Sequence, residues 1–197
     1  MLTKLEQKRY NVIVPKIGTE RVEYMKDNKL KEEFIKYFGE EKWIEEEMLE
    51  ELFDFQFYVF NDLDIEPLPV IFEDIPEDSR LYIKDKYIAI SNKLKNNKIE
   101  CAKCVAHEAR HIMQILYVES NVDYPFVSEW KKDLLNANHI SLSSTDKELS
   151  NYISSTIEVD AFAYQKYIVN KYYKVNTTNF NQEYENLLIY YIEKMFN

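Results

Sequence analysis

The sequence predicts an α+β domain, in which a small antiparallel sheet near the middle of the chain packs on helices that take up nearly all of the C-terminal third. Three observations predict it. From residue 126 to residue 197 there is neither a glycine nor a proline, and apolar residues recur at three- and four-residue spacing, the period of a helix with one buried face. Residues 41–60, EKWIEEEMLEELFDFQFYVF, are glutamate-rich at their start and aromatic toward their end, which suits a helix that begins exposed and finishes buried. Between these two regions lie LPVIF at 68–72, LYI at 81–83 and YIAI at 87–90, short β-branched and aromatic runs bounded by Pro67, Pro76 and a Lys84-Asp85-Lys86 turn.

Taken in order, residues 1–40 form an N-terminal segment of uncertain role, and residues 41–197 form one domain; at 46% hydrophobic content the chain can bury an ordinary core. The first segment could be a mobile arm, an extra helical layer or a strap across the active site. Phe53, Phe55, Phe57, Tyr58 and Phe60 in the first helix read as core. Residues 74–79, DIPEDS, read as an acidic surface loop. Asn97 followed by Glu100 resembles a capping box and should start a helix over residues 101–118, and Thr145 with Glu148 marks another start. The terminal helix, residues 184–196, should close the core.

Composition excludes several classes of function. A formal charge of -10 disfavours a nucleic-acid partner, because phosphate binding needs a clustered cationic face. Cys101 and Cys104 are the only cysteines, too few for a disulfide framework, so a cytoplasmic location is expected. No signal-peptide core and no membrane-length apolar run is seen. The sequon Asn176-Thr177-Thr178 reads as chance.

The string His107-Glu108-Ala109-Arg110-His111 places the H-E-x-x-H pattern inside the capped helix. Four helical residues bring the two imidazoles to about 40° apart in direction and about 6 Å apart along the axis, so both reach one ion. With three histidines in 197 residues the pattern arises by chance roughly 0.006 times. Zinc favours imidazole and carboxylate ligands and, in catalytic sites, leaves one position to water. Glu108 beside the pair is placed to act as general base on that water. A third ligand must come from elsewhere. The stretch STIEVDAFAY at 155–164 reads as a later helix whose small alanines would let it pack closely on the first, which makes Glu158 the favoured third ligand.

With these residues in place, the sequence resembles the gluzincin superfamily of zinc peptidases. It is most similar to compact bacterial and phage metallopeptidases that carry H-E-x-R-H-x-x-Q followed by E-x-D-A-x-A. Here these are His107, Glu108, Arg110, His111 and Gln114, then Glu158, Asp160, Ala161 and Ala163, and the likeness covers residues 66–170. The resemblance implies a zincin-like fold, a Zn2+ site made by His107, His111 and Glu158, and hydrolysis of a peptide or protein substrate. It also implies that the strand before the zinc helix, Tyr87–Ser91, aligns the extended substrate. Larger gluzincins often carry an acid four places after the glutamate ligand; here that place is Phe162. Asp160 could replace it only if the helix is distorted, since two residues turn it about 200° away; an ion pair with Arg110 is the favoured alternative.

Weaker signals are weighed against plainer readings. Cys101, Cys104, His107 and His111 cannot surround one ion, because ten helical residues span about 15 Å, so the cysteines read as buried thiols, with a redox pair as the minority reading. His139 is a candidate catalytic donor to the oxyanion, set against a plain surface histidine, and Tyr164 or Tyr117 could serve instead. Two rival readings stand beside the peptidase: a zinc-binding regulatory or structural module without turnover, and a metal-free helical interaction protein.

Overall fold

The computed structural model describes residues 46–136, 154–177 and 181–196. Within them five helices and three strands follow one another in the order α1 (Glu46–Asp62), β1 (Val70–Glu73), β2 (Ser79–Tyr82), β3 (Tyr87–Ser91), α2 (Lys98–Ser120), α3 (Val127–Asn136), α4 (Thr156–Tyr173) and α5 (Gln182–Met195). The α+β class is as the sequence predicts. The expected helix start at Thr145, residues 1–40, the candidate His139 and the end of the sequon lie outside the described residues. No helix among the described residues is long and apolar enough to cross a membrane.

The sheet differs from the expectation. It is mixed, with the order β1-β3-β2: β2 pairs antiparallel to β3, but β1 pairs parallel to it. The turn after β2 reverses the chain through Lys86 in the left-handed region (φ 56°), as a tight hairpin requires. The returning β3 then inserts between its predecessors instead of adding at the edge. Because β1 and β2 run in opposite directions, β3 can be antiparallel to only one of them. The acidic loop between β1 and β2 crosses the end of β3 and is tied to it. The Ser91 backbone amide donates to the Asp78 carbonyl (2.8 Å), the Ser91 hydroxyl to the Ile75 carbonyl (3.2 Å) and the Asn92 side-chain Nδ2 to Asp74 Oδ1 (2.7 Å). Ile88, Ala89 and Ile90 are accordingly fully buried, as the residues of a central strand should be.

α2 is the axis of the molecule. The Asn97 side chain accepts from the Glu100 amide as the capping reading expects, and the helix stops at Asn121 in the left-handed region (φ 49°). Cys101, Ala102, Val105, Ala106 and Ala109 pack in the main core with Phe55, Val59 and Phe60 of α1, Ile88 and Ile90 of β3, and Ile157, Tyr164 and Ile168 of α4. α2 packs most extensively on α4. Of the two alanines expected between these helices, Ala161 is fully buried three residues beyond Glu158, whereas Ala163 packs with Val159 and Leu188 toward α5. The terminal helix closes a second, smaller cluster of Val159, Ala163 and Leu188, and its last residue, Met195, also packs on the main core.

Candidate metal centre

His107 and His111 project from one face of α2, with ring centroids 4.6 Å apart and planes at 89°. Their Nε2 atoms lie 3.0 Å from each other. Glu158 stands in the first turn of α4, where the helix dipole favours a carboxylate. The local fold there is held from outside the helix: Ser155 makes no side-chain cap bond, and Asp133 of α3 accepts from the Ile157 amide instead (3.0 Å). This capping sets Glu158 opposite the imidazoles, with Oε2 3.3 Å from His107 Nε2 and Oε1 3.4 Å from His111 Nε2.

These residues fit a zinc ion. Two donors of a tetrahedral site with bonds of ~2.0 to 2.1 Å stand about 3.3 to 3.4 Å apart. The two Nε2 nitrogens lie 3.0 Å apart and each has a Glu158 oxygen at close to that spacing, Oε2 at 3.3 Å from His107 and Oε1 at 3.4 Å from His111. One ligand atom from each residue falls within 4.8 Å of the others, and among the described residues only this group has the composition and spacing of a cation site. Glu158 is buried, while both imidazoles are partly exposed. In the metal-free chain, burial disfavours the charged form of each partner, but their mutual attraction wins. The Glu158 carboxylate beside it lifts the His111 imidazolium from 6.5 to about 9, and the imidazoles hold the Glu158 carboxyl well below the usual carboxylate range.

Glu108 is buried beside this group, and its charge also raises His111. Its Oε1 accepts from the Ser79 hydroxyl at 2.7 Å, so the first residue of β2 holds the candidate base. The Cys104 thiol, beside Ser79, lies one helical turn before Glu108. Both cysteines are free and buried, as expected, and burial pushes the Cys101 thiol up to about 12.

Asp160 is hydrogen-bonded to Arg110 and Gln114, not to His107 or His111. It forms a two-pronged ion pair with Arg110 (Nε to Oδ2 2.8 Å, Nη2 to Oδ1 3.1 Å), the favoured alternative of the sequence reading. The guanidinium is enclosed by the rings of Tyr124, Trp130 and Tyr164, 5.7, 5.6 and 5.2 Å away. Asp160 Oδ2 also accepts from Gln114 Nε2 (2.6 Å), and Gln114 Oε1 lies 2.7 Å from His111 Nδ1. The Phe162 ring, four residues after Glu158, packs on the His107 ring at 4.6 Å. His107 Nδ1 is buried with no hydrogen-bond partner among the described residues.

The other expectations fare differently. Tyr164 is turned from the site, its hydroxyl donating to Asp62 (3.0 Å), and Tyr117 packs edge-on against Tyr124. Tyr87–Ser91 is the central strand, paired on both sides, so it has no free edge for a substrate; β2 is the edge strand next to Glu108. Sequence reasoning missed three residues. Ser79 lies in a segment that reads as a loop, Tyr184 comes near Glu158 only through the packing of α5 on α4, and Gln114 belongs to the motif without a role assigned to it. For Gln114 a signal existed, because it sits three residues after His111 and so on the same helical face. Tyr184 stands in the first turn of α5 with its ring 6.4 Å from that of Phe162, and burial together with the Glu158 charge raises its phenol pKa.

No family model, no curated protein and no solved structure matches the chain.

Proposed function

We propose that this chain is a zinc-dependent metallopeptidase, working in a reducing compartment such as the cytoplasm. What supports the reading above all is the meeting of His107, His111 and Glu158, from two separate helices, with a Glu158 oxygen 3.3 to 3.4 Å from each imidazole Nε2. Zinc held by His107, His111 and Glu158 would supply a Lewis acid and lower the pKa of a bound water. Glu108, held by Ser79, takes a proton from the attacking water as the new C–O bond forms and then returns it to the leaving amine as the peptide C–N bond breaks. The Tyr184 phenol donates to the oxygen of the carbonyl under attack. The outer edge of β2 offers main-chain donors and acceptors to an extended peptide, and the same strand carries Ser79 to the base, so substrate and base share one support. A net charge of -10 favours neutral or basic segments as substrates.

The test is hydrolysis of a random peptide library by the zinc-loaded chain and by Glu108→Gln. Cleavage by the wild type, lost in the variant while zinc is retained, supports the reading. Identical profiles from the two proteins would remove proteolysis and leave a zinc-binding module without turnover.

A further inference from the structure

We infer that Gln114 and Asp160 are positioning residues that decide which nitrogen of His111 carries the ring proton, so that Nε2 meets the metal as a lone pair. The inference rests on the zinc-site reading above. It follows from counting donors and acceptors in a closed group. Gln114 and Asp160 are fully buried and Arg110 is 3% exposed, so none of them turns to solvent for a partner. The Gln114 Nε2 lies 2.6 Å from Asp160 Oδ2 and 2.9 Å from the Ile157 carbonyl. Both Asp160 oxygens also accept from Arg110 and a carbonyl only accepts, so both N–H bonds of this amide are spent and the amide has one orientation. Its Oε1 then faces His111 Nδ1 at 2.7 Å and can only accept. Nδ1 must therefore carry the hydrogen, and Nε2, the atom 3.4 Å from Glu158 Oε1, is left as the ligand nitrogen.

Arg110 completes the device. Its two-pronged pair occupies both Asp160 oxygens as acceptors in a dry interior, and the rings of Tyr124, Trp130 and Tyr164 hold the guanidinium in place. Turning the Gln114 amide over would set its oxygen against the Asp160 carboxylate, acceptor to acceptor, while offering an N–H to His111 Nδ1 and driving the ring proton onto the metal side. The Arg110–Asp160 pair thus acts on the metal through Gln114 without touching it. His107 has no comparable support: its Nδ1 is unpartnered among the described residues and its ring is fixed by Phe162. Control of the ring proton is concentrated on His111.

A purely structural role for this group would make its loss a matter of stability alone, whereas positioning ties it to metal affinity. In Asp160→Asn the new side-chain amide can donate to Gln114, which is then free to turn over. Zinc affinity, measured by chelator competition, is expected to fall roughly 10- to 100-fold, with a changed absorption spectrum of the cobalt-substituted chain. The exchange Asp160→Asn with Gln114→Glu has the wild-type net charge. The carboxylate introduced at position 114 would again accept from His111 Nδ1 while the amide introduced at position 160 donates to it, at the loss of the bond to Ile157. This double variant is expected to regain zinc affinity to within about threefold of wild type and to restore the cobalt spectrum. Should Asp160→Asn fail to fold around Arg110, Gln114→Met, of similar length and without an acceptor, is expected to show the same 10- to 100-fold loss. Single variants that bind zinc like the wild type, or a folded double variant no better than Asp160→Asn, would overturn the inference alone. A wild type that takes up no zinc would overturn the metal-site reading and this inference together.

Discussion

Replacing Glu158 by glutamine keeps the shape of the side chain but removes the anion between the two imidazoles. In the metal-free chain that anion lifts His111 from 6.5 to about 9 against the opposing effect of burial. At 1.36 kcal/mol per pH unit the difference corresponds to about 3 kcal/mol of ion pairing, and Glu158→Gln should remove most of it. The sign follows from linkage. His111 has a folded pKa above its unfolded value, so the contribution is fully present below 6.5 and is lost as pH rises through about 9. On the acid side Glu158 has a folded pKa below its unfolded 4.5, so the contribution also declines as pH falls under that value. The metal-free wild type should therefore be most strengthened between these limits, and its melting temperature should drop between pH 6.5 and 9 by more than that of Glu158→Gln. Histidine proton resonances followed through a pH titration give the pKa directly. A His111 pKa near 9 in both proteins, or melting curves with the same pH dependence, would refute the pairing and with it the placement of Glu158.

Further outcomes follow from the same geometry. Glu108→Gln should keep its zinc yet lose about 10²- to 10⁴-fold in kcat, measured as peptide turnover against bound metal. Tyr184→Phe should lower kcat by about 10- to 10³-fold at nearly unchanged KM and zinc content; an unaffected kcat removes Tyr184 from the reaction. With the Cys101 thiol pushed up to about 12, a thiol reagent at pH 8 meets roughly one thiolate in 10⁴, so the folded chain should label far more slowly than the same chain in denaturant.

What was legible in the sequence was local. His107, Glu108 and His111 lie within one helical turn and a capped helix, so their spacing already states their geometry. The pairing of Asp160 with Arg110 could also be anticipated, because helical phase alone turns Asp160 from Glu158. What was not legible depends on where distant segments come to rest. The polarity of the sheet turns on β3 inserting between β1 and β2, which alternation along a strand does not encode. For the same reason the sequence points to Tyr87–Ser91 as the substrate edge when the free edge belongs to β2. Ser79 reaches Glu108 across 29 residues because the acidic loop wraps the end of β3. Tyr184 approaches Glu158 because Val159 and Ala163 seat α5 on the far side of α4. Gln114 was visible as a residue on the right face, but its role needed Asp160, 46 residues later, to orient its amide.

The most direct test of the central claim is the zinc content of the purified chain by elemental analysis, beside that of His107→Ala and Glu158→Ala. The convergence of two helices on one ion predicts one zinc per wild-type chain and far weaker retention in both variants under dialysis against a chelator. A wild-type content well below one per chain, or a Glu158→Ala chain that holds zinc as firmly as the wild type, would contradict it.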